Sequence, residues 1–178
     1  MIIWIDGVYG VGKTTIAYSL KEKLEDSIVA EADEYWLDFV KHIIENTPKG
    51  RIPAFGGLMP QNNIEFIKSF RKNIEEKHEA NDVIVDMALS TSLCKESLID
   101  YFHEKKMLMF HFILEVDEAS MRARVAVDLK RKDKTLPIEE FPLANKFLKS
   151  NYENAIRINT ENRTCEEILQ EMIEHISC

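Results

Sequence analysis

Ile2 to Ile5 is an unbroken apolar run, the pattern of a parallel strand buried on both faces. After a glycine-rich interval, Ile16, Leu20 and Leu24 recur at helical spacing, and Ile28-Val29-Ala30 reads as a second strand. Asp33 to Ile44 predicts a helix carrying Trp36, Leu37, Phe39, Val40 and Ile43. Pro48, Gly50, Pro53, Gly56, Gly57 and Pro60 then mark a loop. Ile64, Ile67, Phe70 and Ile74 form another helical stripe. Val83 to Val85 and Met107 to Val116 read as strands, and Asp117 caps a helix presenting Met121, Val125 and Leu129. A helix around Phe141 to Leu148 and a strand from Ala155 to Ile158 come next. Thr164-Cys-Glu-Glu167 is a capping box that opens a helix with Ile168, Leu169, Met172, Ile173 and Ile176. Strands and helices alternate without repeat or linker, which predicts one domain, 1–178, built as a doubly wound α/β sheet.

Composition narrows the function. The chain has 178 residues and a formal net charge of −8, so a phosphate backbone is repelled and nucleic acid is a poor partner. Cys94, Cys165 and Cys178 are odd in number and widely spaced, neither a disulfide framework nor a metal pattern, as expected in a reducing compartment. Met1 to Ile5 is too short for a signal sequence, and the longest apolar run, Met107 to Leu114, is broken by His111. A soluble cytoplasmic protein without a membrane segment is expected. His42, His78, His103, His111 and His175 show no ligand spacing and are read as non-catalytic.

The chemistry concentrates in Gly7-Val-Tyr-Gly-Val-Gly-Lys-Thr-Thr15, which holds three of the six glycines. It fits G-x-x-x-x-G-K-[ST] between an apolar strand and an amphipathic helix, the context that confirms a P-loop. Backbone N–H groups of Gly7, Val8, Tyr9, Gly10, Val11 and Gly12 would wrap phosphate oxygens beside the positive end of the helix. Lys13 would reach the β- and γ-phosphates, and the Thr14 hydroxyl would ligate Mg²⁺, with Thr15 completing the site. Candidate carboxylates follow at strand ends, where loops of an open sheet converge on a crevice. Asp33 is either a substrate-facing base or a helix cap. Asp86 either holds Mg²⁺ through a water or orients Thr14, or else is a turn residue. Tyr35, Trp36 and Phe39 either line an acceptor pocket or belong to the core. Arg122, Arg124, Lys130, Arg131, Lys132 and Lys134 make a basic segment that is either a lid or a solvated helix face.

Nothing supplies the guanine-reading Asn-Lys-x-Asp of Ras-type GTPases, and a short chain opening on its P-loop instead resembles the small P-loop kinases. Met1 to Thr14 is most similar to the ATP-binding tunicamycin-resistance proteins, which also open with Met-Ile-Ile-Trp-Ile running into the P-loop. The resemblance implies a five-stranded parallel core, a mobile lid at about 121–140, and ATP with Mg²⁺ as cofactors. It also implies roles. An Asp at the place of Asp33 binds the acceptor hydroxyl and acts as base in several of these kinases. Lids carry Leu-x-x-Arg-hydrophobic-x-x-Arg, whose arginines neutralise the transferring phosphoryl; Met121, Arg124 and Val125 match. Asp128 occupies the second Arg position, and Arg131 stands one turn later as a substitute. The loop Asn159 to Arg163 matches one that packs against adenine, with Thr160 at a frequent Thr position; a plain βα loop is the alternative. Met87-Ala88-Leu89-Ser90 is neither Asp-Gly-x-Pro-Arg, nor Glu-Arg-Ser, nor a triple glycine, which demotes nucleoside monophosphates, deoxynucleosides and shikimate as acceptors. The expectation is a Mg-ATP-dependent phosphotransferase acting on a hydroxyl of a small molecule, a nucleoside-like antibiotic or a metabolite. Two alternatives are an ATP-binding protein that sequesters a drug and an NTPase switch acting through a partner.

Overall fold

The computed structural model describes residues 1–48, 60–128 and 135–177. Five parallel strands form one sheet in the order β2-β3-β1-β4-β5. They are β1 (Ile2–Gly7), β2 (Ser27–Glu31), β3 (Asp82–Asp86), β4 (Met109–Glu115) and β5 (Ile156–Asn159). The unbroken apolar run takes the central place, and every residue of β1 is buried. Register aligns the carboxyl ends: Glu31 pairs with Asp86, Ile5 with Asp86, and Gly7 with Leu114. Everything chemical therefore gathers on one edge of the sheet.

The flanking helices are α1 (Lys13–Lys21), α2 (Ala32–Asn46), α3 (Ile64–His78), α4 (Ser92–Cys94), α5 (Tyr101–Glu104), α6 (Glu118–Val127), α7 (Thr135–Asn151) and α8 (Cys165–Ser177). A π-helical stretch, Lys95–Asp100, joins α4 to α5, and a 3₁₀ turn, Pro60–Asn62, precedes α3. The chain steps outward from β1 to β2 and back from β2 to β3. Right-handed crossovers then put α1 and α3 on opposite faces. α8 packs on α1, and α2 on α3. Trp4, fully buried, lies 6.4 Å from the Phe102 ring. Tyr35, Trp36 and Phe39 pack around Phe66 at ring distances of 6.0, 5.1 and 5.6 Å. All three serve the core.

The caps form as the sequence pattern predicts. The Asp117 carboxylate accepts from the Ser120 N–H at 2.7 Å. Glu167 accepts from the Thr164 N–H at 2.7 Å, while the Thr164 hydroxyl accepts from the Glu167 N–H at 3.3 Å, closing the capping box. Two elements differ from the pattern. Residues 92–104 are helical, although Leu93, Leu98, Ile99 and Phe102 fall too irregularly for one α-helical stripe because the π turn shifts the phase. α7 runs well before Phe141 and continues through Pro142, where a break is the default. The proline- and glycine-rich segment at 49–59 and the basic segment at 129–134, with Lys130, Arg131, Lys132 and Lys134, lie outside the described residues.

Gly7 closes β1 at φ 142°, and a Cβ there would stand 2.7 Å from the Leu114 carbonyl oxygen, which β-pairing holds in place. Gly7→Ala is expected to destabilise the protein by at least about 2 kcal/mol, since backbone strain and a clash with main chain coincide. Urea denaturation of both proteins measures it; equal midpoints would contradict the packing described.

Candidate active site

Beyond β1 the chain turns through Gly10 at φ 73° and Gly12 at φ 106°, the left-handed side of conformational space that glycine adopts without strain. Val8 and Val11, both buried, anchor the turn to the core. Gly12 is the N-cap of α1, and nothing lies within 4 Å of where its Cβ would be. An anion can therefore approach the free N–H groups that open α1. The Lys13 ammonium donates to the Val8 carbonyl at 3.2 Å and lies 5.7 Å from the centre of the Tyr9 ring, folded over the turn.

Thr14, on the first turn of α1, donates its hydroxyl to Asp86 at 2.6 Å. Asp86 ends β3 and is buried, and that burial pushes its carboxyl above the ordinary range. The Lys13 charge and the Thr14 hydrogen bond partly counter the effect, while Asp33 and Asp6 add to it. Glu31, across the register from Asp86, is likewise raised by burial and then by Asp86, and it accepts from the Tyr18 hydroxyl at 3.1 Å. Hydroxyl and carboxylate oxygens meeting beside the glycine turn suit a hard divalent cation, so Thr14 and Asp86 are the residues that would hold Mg²⁺.

Lys13, Thr14, Asp33, Asp86 and Arg124 line one cleft of about 950 Å³. Asp33 stands exposed in the first turn of α2, whose N-cap is Glu31, so the cap position is not its own. Arg124, from α6, is committed on three sides: it donates to the Val11 carbonyl at 3.1 Å, the Thr160 hydroxyl at 3.0 Å and the Thr160 carbonyl at 3.0 Å. It ties the turn to the end of β5. Thr160 is 2% exposed, donates to the Glu115 carbonyl at 2.8 Å and is absent from the described cleft wall. Gly7, Val8 and Val11 shape the turn from behind, while Tyr9, Gly10, Gly12 and Thr15 reach the cleft. Arg131 lies outside the described residues.

Two residues in the core matter more than the sequence pattern suggested. Asp6 is fully buried; one oxygen accepts from the Gly7 N–H at 2.6 Å and the Leu89 N–H at 2.9 Å. Its other oxygen faces His111 Nε2 at 3.1 Å. A signal was present: Asp6 and His111 each interrupt an apolar strand, and the two strands are neighbours.

No protein-family model matches the sequence, and no curated protein matches it. Solved structures do. The tunicamycin resistance protein of Deinococcus radiodurans is similar with a TM-score of 0.72 at 22% identity, over 98% of this chain and 94% of that one. Shikimate kinase from Bacteroides thetaiotaomicron is similar at 0.64 and 18%, over 100% and 99%. A gluconokinase from Sinorhizobium meliloti is similar at 0.59 and 14%, over 98% and 90%. The fold is the small P-loop kinase fold. Within this fold the five-stranded parallel sheet with flanking helices is the expected core. Among the described residues no helix is long and apolar enough to cross a membrane.

Asp86 yields a test with a defined sign. Its carboxyl is raised above the ordinary 3.8, so the folded state holds that proton more tightly than the unfolded chain. The contribution to stability is full below about 3.8 and is lost as pH rises through the raised value. Asp86→Asn keeps an oxygen for the Thr14 hydroxyl and removes the buried charge. At pH 7 the ligand-free variant is expected to be more stable than wild type, with the advantage vanishing in acid, while Mg²⁺ no longer strengthens ATP binding. Denaturation curves from pH 3 to 8 and ATP titrations with and without Mg²⁺ check both halves; a less stable variant at pH 7 would contradict the assignment.

Proposed function

We propose that the protein transfers the γ-phosphate of ATP to a hydroxyl of a small molecule. The observation that carries this is the exposed carboxylate of Asp33 on the same cleft as Lys13, Thr14 and Asp86. Phosphoryl transfer asks the protein chiefly for positioning and for charge opposite the phosphates. The turn from Gly7 to Thr15 and the ammonium of Lys13 supply that charge, with the N-terminus of α1 beside them. Mg²⁺ on Thr14 and Asp86 would screen the phosphate oxygens. Asp33 aligns the acceptor hydroxyl and takes its proton as that oxygen bonds to the γ-phosphorus. The bond from phosphorus to the bridging oxygen breaks, and ADP leaves. Arg124 holds the turn and Thr160 together at the mouth of the same cleft. The kinase names of similar structures and the P-loop support this reading.

A second reading has one observation in its favour. Asp128, not an arginine, lines the cleft one turn beyond Arg124, which leaves less positive charge for a transition state and suits a protein that binds ATP and holds a drug-like compound unmodified. The two readings part at Asp33. General-base assistance contributes about 10²- to 10⁴-fold. Asp33→Asn is therefore expected to slow phosphoryl transfer by at least ~100-fold while hardly moving ATP affinity. Mass spectrometry of acceptor candidates after incubation with Mg-ATP, wild type beside Asp33→Asn, measures it. Product made equally fast by both removes the base role; no product from either favours sequestration.

A further inference from the structure

Gln61 is 8% exposed, lines the cleft, and its side-chain oxygen is shut from water with no hydrogen-bond partner among the described residues. Its backbone is not loose. The Gln61 carbonyl accepts from the Thr91 hydroxyl at 3.2 Å and the Cys94 thiol at 3.4 Å. The Asn63 N–H returns to the Pro60 carbonyl at 3.1 Å, and the Asn63 side chain caps α3 by accepting from the Phe66 N–H at 3.0 Å. The fold thus clamps the main chain and leaves the carboxamide oxygen unmatched among the described residues. A buried polar group without a partner is costly, and native proteins keep few of them. A half-turn of the amide exchanges its oxygen and nitrogen without changing volume, so either end can be presented to the cleft.

Charge narrows what would meet it. The described cations on the cleft wall are Lys13 and Arg124, and both are engaged with the phosphate turn, through Val8 and Val11. The wall that carries Asp33 also carries Glu31, and among the described residues it has no cation. An acceptor bearing a carboxylate or phosphate would sit there against like charge and, among the described residues, without a counter-ion.

We infer that Gln61 is a specificity-determining residue for the acceptor, and that the acceptor is an uncharged compound presenting a hydroxyl or amide to this carboxamide. The inference rests on the cleft's being the acceptor site of the function proposed above. A site built around a buried hydrogen-bonding group rejects compounds that cannot satisfy it.

The test pairs stability with binding. Gln61→Met keeps the length and removes the unmatched amide, so the ligand-free variant is expected to melt about 2 °C or more above wild type. Matched neutral and anionic compounds are then added with a non-hydrolysable ATP analogue and Mg²⁺: D-glucitol and D-gluconate, N-acetylglucosamine and N-acetylmuramate, uridine and orotidine. At least one neutral member is expected to raise the wild-type melting temperature and its anionic partner not. The apparent dissociation constant for that compound should rise about tenfold or more in Gln61→Met, with the shift caused by the ATP analogue preserved. A lower melting temperature for the variant, an anionic member bound as well as its partner, or a panel without any neutral binder would each overturn the inference. Binding of a neutral compound that yields no phosphorylated product with ATP would instead overturn the phosphotransferase reading and leave Gln61 as the recognition residue.

Discussion

The Asp6 carboxylate brings the turn after β1, the segment after β3 and the strand β4 within hydrogen-bond reach of a single group. It accepts from Gly7 and Leu89 and faces His111. A polar group taken out of water is costly unless close, well-directed partners replace the water. The stretch from Met87 to Leu89 is accordingly held from several directions: the Trp4 indole donates to the Met87 carbonyl at 3.2 Å, and the Tyr152 hydroxyl to the Leu89 carbonyl at 2.8 Å. With the end of β3 pinned in this way, Asp86 cannot drift from Thr14. The 2.6 Å bond between them is a consequence of the core beneath it.

That rigid floor contrasts with the groups above it. Lys13 rests on a carbonyl and an aromatic ring, contacts that phosphate oxygens would replace with a stronger, charge-assisted bond. Arg124 already spends three hydrogen bonds on main chain and on Thr160, so its part in the site begins with holding the turn's far side in register with β5. Four carboxylates, Glu31, Asp33, Asp86 and Asp128, line the cleft. Their mutual repulsion is tolerable only because solvent reaches Asp33, and a divalent cation would relieve it further.

Much of this was legible in the residues. The five strands lie where apolar runs predict them, because a parallel strand covered on both faces needs such a run and little else does. Both side-chain caps formed because Asp117 and Thr164 meet the orphan N–H groups at the start of a helix whatever packs around them. For Asp86 the residues left two readings open, a partner of Thr14 or a turn residue, and the pairing of β1 with β3 brings it to Thr14. Other features depend on contacts between distant segments. The π turn at 95–100 shifts the helical phase and hides the stripe in Leu98, Ile99 and Phe102. Thr160 reads as a loop residue in sequence, yet its hydroxyl bonds Glu115 across the sheet. Gln61 carries no motif, and only the closed packing around it leaves its side-chain oxygen unmatched.

The central claim is that this turn and its lysine hold the phosphates of ATP, and calorimetric titration of Lys13→Ala beside wild type tests it most directly. A hydrogen bond to a charged group contributes roughly 1.5–3 kcal/mol, so in the presence of Mg²⁺ the variant should bind ATP at least about tenfold more weakly. The variant should remain folded without ligand, because Lys13 is half-buried and stands outside the core. The same ATP affinity in both proteins would contradict the account.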